Sequence, residues 1–170
     1  NNIEHDVRNA GVNCIILVED SVRFYSAYLP LLYTEIVKQT QSVMSDGINR
    51  MQRMLRMRAR PKIMLATSYE EGMELYETYG EYVLGLILDV SFPRGGLLDS
   101  KAGLDFARVV KKDRPDMPIL VQSSEENNAR EARSLQARFL NKTSSELLLG
   151  ISGFLKDSLG FGDFVFRMPD

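Results

Sequence analysis

The chain has 170 residues, 44% of them hydrophobic, which is enough for one well-packed domain and too few for two of ordinary size. Charged residues make up 26% with a net charge of -2, and the two signs are interleaved, so the strong basic excess of a dedicated nucleic-acid binder is excluded. A lone cysteine, Cys14, excludes an internal disulfide framework and points to a reducing cytoplasm, and no apolar run approaches the ~20 residues of a membrane span.

In chain order, a polar leader over residues 1–12 contains the only histidine, His5, with no sequence-near partner for phosphorylation or metal binding. Cys14 to Val18 is the first of four short apolar runs; Ile63 to Ala66, Val83 to Leu88 and Ile119 to Val121 follow, with a weaker fifth at Arg138 to Leu140. Runs apolar on both faces fit strands of a covered parallel sheet, because half-exposed strands alternate. Ser21 to Arg60 is of helical character throughout. Pro30 and Asp46-Gly47 each predict a break there, giving at least two pieces, the second spanning Ile48 to Met57. Ser68 to Glu71 reads as a capping box that opens a helix containing Met73, Leu75 and Tyr76. Gly103 to Val110 predicts another helix, stopped before Pro115, and Thr143 to Glu146 is a second capping box before Leu147, Leu148, Ile151 and Leu155. Strand and helix alternate five times, which predicts an α/β, doubly wound, five-stranded parallel sheet. Residues 159–170 read as a tail or a linker to a missing domain, the chain being expected as a segment of a larger protein.

Ligands of open parallel sheets bind at the carboxyl ends of the strands, where strand order reverses. Those ends here are Glu19-Asp20, Asp89, Ser123-Ser124 and Asn141-Lys142. Three clustered carboxylates repel one another unless they hold a hard cation, and Mg²⁺ takes one or two carboxylates alongside waters and phosphate oxygens. An aspartate can accept a phosphoryl group as an acyl phosphate. The transfer then needs its equatorial oxygens neutralised, which Mg²⁺, Lys142 and the Ser123 hydroxyl with nearby backbone N–H groups can do. Singly, each residue has an ordinary structural role: a surface acid pair, a turn cap at Asp89, a helix cap at Ser123, a solvated charge at Lys142. Their joint placement on one edge is what points to a site.

These residues resemble the receiver domain of two-component response regulators, a flavodoxin-like fold of strand order 2-1-3-4-5. The resemblance lies in Ile15 to Ser21 with its acid pair, Leu86 to Pro93 around Asp89, Pro118 to Ser123, and Phe139 to Lys142. It implies a receiver domain over 13–158 with a helical insertion at about 38–60. Asp89 would be the phosphoacceptor, with Glu19, Asp20, Asp89 and the Ser91 backbone carbonyl holding Mg²⁺. Lys142 and Ser123 would contact the phosphate, and Ser123 with Phe139 would form the switch. It further implies a histidine kinase or phosphotransfer partner, an output domain, a possible homodimer, no membrane or direct nucleic-acid contact, and no enzymatic turnover beyond self-phosphorylation and autodephosphorylation. Three features depart from the family pattern. Thr143 replaces the usual proline after the lysine, predicting a trans bond. Gly95 to Lys101 lengthens the loop after Asp89, predicting a more mobile or more covered rim. The first helical region is enlarged. That extension and Gly160 to Phe164 are also similar to receiver-like segments of proteins related to phosphoenolpyruvate synthase.

Two other functions stay open. An aspartate-nucleophile phosphohydrolase would need a general acid two positions after Asp89, where Ser91 stands. A non-phosphorylated pseudo-receiver acting as a docking or dimerisation module would keep the fold without the chemistry. Arg50, Arg53, Arg56, Arg58, Arg60 and Lys62 form the only basic concentration, either a docking surface or a solvated helix face. Met44, Met51, Met54 and Met57 read as core filler, and Cys14 as buried and inert.

Overall fold

The computed structural model describes residues 4–9, 11–45 and 60–159. The second predicted helical piece at Ile48 to Met57, the arginines from Arg50 to Arg58, Met51, Met54 and Met57, and the tail from Gly160 lie outside the described residues.

Every predicted strand forms. β1 is Cys14–Val18, and all five of its residues are buried. A helix, α1 (Val22–Ser45), leads to β2 (Lys62–Ala66), α2 (Tyr69–Tyr79) and β3 (Val83–Asp89). A small hairpin of β4 (Phe92–Arg94) and β5 (Leu97–Asp99) precedes α3 (Ala102–Asp113), β6 (Ile119–Ser123), α4 (Asn128–Ser134), β7 (Arg138–Asn141) and α5 (Leu147–Gly153). The main sheet runs β2-β1-β3-β6-β7 with every pairing parallel. The chain leaves β1 in one direction to β2 and returns on its other side to β3, which puts the reversal of strand order between the carboxyl ends of β1 and β3.

Alternation along the strands divides the core into two layers. Ile16, Val18, Leu86, Leu88 and Val121 pack with Tyr76, Leu104, Phe106 and Ala132 of α2, α3 and α4. Ile15, Leu17, Ile87 and Leu120 pack with Tyr28, Leu32 and Ile36 of α1 and with Ile151, Phe154 and Leu155. Burying side chains of this size on both faces contributes roughly 2 kcal/mol each, which is why strands of five residues suffice.

Four expectations are corrected. Pro30 lies inside α1 without dividing it. An interior proline costs about 3 kcal/mol through its missing N–H and its clash with the carbonyl four residues back. Pro30 and Ser26 are both exposed, so water can take that carbonyl, while Tyr28, Leu32 and Ile36 stay buried at four-residue spacing. Thr34 Oγ1 donates to the Pro30 carbonyl at 2.7 Å. The second capping box does not form: Glu146 N donates to Ser144 Oγ, and Thr143 donates through both its backbone N–H and its hydroxyl to Asn141 Oδ1. The first is modified, since Ser68 Oγ accepts from Glu71 N while the Glu71 carboxylate accepts from Thr67. The leader is docked rather than merely polar. Val7 and Val12 are buried, Asp6 pairs with Lys62, and His5 Nδ1 lies 3.4 Å from Asp6.

Candidate functional site

β1 delivers Glu19 and Asp20 to the crevice as its first residues past the last paired position, and β3 delivers Asp89 as its final residue. One carboxylate oxygen from each of the three lies within 4.8 Å of the others. β7 ends one residue before Lys142, whose backbone N–H donates to the Ser123 carbonyl and whose Nζ sits 2.5 Å from Glu19 Oε2 and 3.0 Å from Asp89 Oδ1. The Lys142–Thr143 peptide is trans, as expected for a non-proline residue. Glu19 is 1% exposed and its other oxygen accepts from Ser21 N at 3.0 Å.

The electrostatics follow from this geometry. Burial pushes the Glu19 carboxyl up, the Asp89 charge pushes it further, and Lys142 pulls it back. Burial likewise raises Asp89, opposed first by Lys142 and then by the Val90 backbone N–H. Three acids and one ammonium leave surplus negative charge in a low-dielectric crevice, which a divalent cation would neutralise. The donor set fits Mg²⁺ in its chemistry: all three are carboxylate oxygens, the hard ligands this ion takes, and they converge within 4.8 Å of one another. Ser91, whose carbonyl the resemblance adds to that set, stands half-buried in the turn to β4.

Ser123 is buried at the end of β6, but its hydroxyl accepts from Glu125 N and from Asn128 Nδ2, both at 3.0 Å. It therefore caps its own turn, the structural role weighed for it from sequence. Phe139 is half-buried against the α2–α4 layer and lines a groove of about 370 Å³ with Asn141, Leu147 and Gly150.

The long loop after Asp89, expected to make the rim more mobile or more covered, is an ordered element. It is the β4–β5 hairpin, turned by Gly95 and Gly96 at φ +62 and +80, the left-handed region that a two-residue hairpin turn requires. Arg94 ties it down, lying over the Tyr69 ring and pairing with Asp99 and Asp105, while Gly95 N donates to Glu70. Leu97 and Leu98 remain exposed at its tip.

Three site residues were missed from sequence. Phe24, in the first turn of α1, places its ring 4.1 Å from Lys142 Nζ. Tyr28 stacks behind it, and its phenol is pushed up by burial and by the Glu19 and Asp89 charges. Asn128 holds Ser123. Only the phase of α1 relative to the end of β1 could have revealed the aromatic pair.

No protein-family profile matches the chain, and no curated protein does. Among solved structures, a response regulator receiver domain protein from Clostridium thermocellum superposes with a TM-score of 0.61 at 18% identity, over 91% of this chain and 100% of its own. The phosphorylated cyanobacterial phytochrome response regulator RcpA gives 0.57 at 17% identity, over 94% and 99%. The response regulator TrrA from Thermotoga maritima, in complex with Mg²⁺ and BeF, gives 0.50 at 14% identity, over 81% and 93%. The five-stranded parallel sheet and its flanking helices thus have the CheY-like flavodoxin fold, and the structural neighbours of this chain are response regulator receiver domains.

Proposed function

We propose that the chain is a phosphoacceptor receiver domain, phosphorylated on Asp89 with Mg²⁺ by a histidine kinase or phosphotransfer partner. The observation that carries this reading is the meeting of three carboxylates and one buried ammonium at the strand-order reversal. An Asp89 oxygen would attack phosphorus, the bond from phosphorus to the donor's oxygen or nitrogen would break, and its electron pair would leave with the donor. Glu19, Asp20, Asp89 and the Ser91 carbonyl would hold Mg²⁺, which when bound supplies charge neutralisation for one equatorial oxygen. Lys142 would exchange a carboxylate for a second oxygen. Ser123 would turn to the third, giving up two hydrogen bonds worth on the order of 1 kcal/mol each for a charge-assisted one. Phe139 would repack as Ser123 moves and pass the change to the face of β6, β7 and α4. Outputs would lie in another domain or chain, and the domain would have no turnover beyond its own phosphorylation and dephosphorylation. The phosphorylated state of RcpA and the Mg²⁺–BeF complex of TrrA support the reading by likeness.

The test is intact mass after incubation with Mg²⁺ and acetyl phosphate. Wild type is expected to gain one phosphoryl group and Asp89→Asn none. No gain, or the same gain in the variant, overturns the proposal, and Mg²⁺ binding without any gain favours the pseudo-receiver instead.

A further inference from the structure

The Lys142 ammonium is held from three directions, two of them the Glu19 and Asp89 carboxylates and the third the face of Phe24. The ring is fixed from its own side. Phe24 N and Tyr25 N both donate to the Ser21 carbonyl at 3.0 Å, which sets where the first turn of α1 begins. One turn on, Tyr28 stacks on Phe24 with centroids 5.9 Å apart and planes at 22°, and Tyr28 is itself buried at 3% exposure. A cation within ~6 Å of a ring centroid is attracted to its face, more strongly once desolvated, and the Lys142 side chain is only 5% exposed.

A carboxylate at this position would compete with phosphoryl oxygens for the ammonium. An aromatic face confines the ammonium without adding a third anion beside Glu19 and Asp89. We propose that Phe24, backed by Tyr28, is a positioning residue that holds Lys142 over Asp89 for contact with the incoming phosphoryl group. This rests on the reading of Asp89 as phosphoacceptor.

Two measurements on the full chain test it, with Phe24→Leu, Phe24→Tyr and Phe24→Trp all checked for native melting. The first is acylation of Lys142 by a small amine-reactive ester, located by peptide mapping, which needs no phosphorylation. The second is the rate of phosphoryl gain from acetyl phosphate at saturating Mg²⁺. Leucine fills similar space without a π face, so Phe24→Leu is expected to label Lys142 several-fold faster and gain phosphoryl about fivefold more slowly. Tyrosine and tryptophan are expected to stay within about twofold of wild type in both assays. Unchanged labelling in Phe24→Leu, faster labelling with an unchanged phosphoryl rate, or ring variants that behave like leucine would each overturn the proposal. A wild type that gains no phosphoryl group while Lys142 stays protected would overturn the phosphoryl role and leave the ring's hold on the lysine standing, so the two failures are told apart.

Discussion

Gly103, the second residue of α3, backs directly onto the candidate phosphoacceptor. A Cβ built there would lie 1.8 Å from the Asp89 carbonyl oxygen and 3.0 Å from Val90 Cα. Carbon and oxygen do not approach so closely, so Gly103→Ala must part the two segments by more than about 1 Å. Neither can retreat cheaply. α3 is anchored by Leu104, Phe106, Ala107 and Val110, all fully buried, and Asp89 is paired to Gln122 across β6. The Gly103 N–H that donates to the Val90 carbonyl would also be displaced. Overpacking costs 1–3 kcal/mol and a lost hydrogen bond about 1 more, so the expected loss is roughly 3 kcal/mol. In a chain of this size that lowers Tm by about 6–12 °C, read by circular dichroism or scanning fluorimetry. Because the strain falls on Asp89 itself, phosphoryl gain is expected to slow as well. A Tm within about 2 °C of wild type with an unaltered phosphorylation rate would refute the close approach of α3 to Asp89.

Tyr28→Phe is expected to raise stability in urea by about 1 kcal/mol, because the hydroxyl is buried with no hydrogen-bond partner among the described residues and its desolvation goes uncompensated; a loss of that size would mean the hydroxyl has a partner. Stability is also expected to fall in alkali. Burial pushes the Cys14 thiol up to about 12, and burial with the Asp113 contact pushes the Tyr76 phenol up to about 12. Both groups hold their protons more tightly folded than unfolded, where they ionise near 8.5 and 10. Their contribution is whole below about pH 8.5 and lost as pH rises toward 12. A urea midpoint that stays constant between pH 8 and 11 would contradict this.

The sheet and the acidic cluster were legible because both depend on local pattern. A strand buried on both faces must be an apolar run, and the residues at or just past the end of each strand face the crevice, so Glu19, Asp89 and Lys142 could be placed from the sequence. What escaped depends on which face meets water or on distant geometry. Pro30 reads as a break in a string of letters, and only its exposure explains why α1 continues. Gly95-Gly96 carries the signature of a tight hairpin turn, but Leu97 and Leu98 stand outward on both sides of their strand, so no alternation announced β5. Thr143 to Glu146 matches a capping pattern that Asn141 outcompetes by taking both Thr143 donors. Phe24 needed the phase of a helix relative to a lysine more than a hundred residues away.

α1 has a mechanical consequence of its own. Its 24 residues extend about 36 Å, while the five-residue strand beneath it spans about 17 Å. The helix is therefore about twice as long as the strand it packs against, and its first turn is the end at which Phe24 meets Lys142. Over that length a tilt of about 5° would carry the far turn about 3 Å. A small change in the tilt of the helix that closes one side of the site would therefore translate into a larger displacement at Ser45.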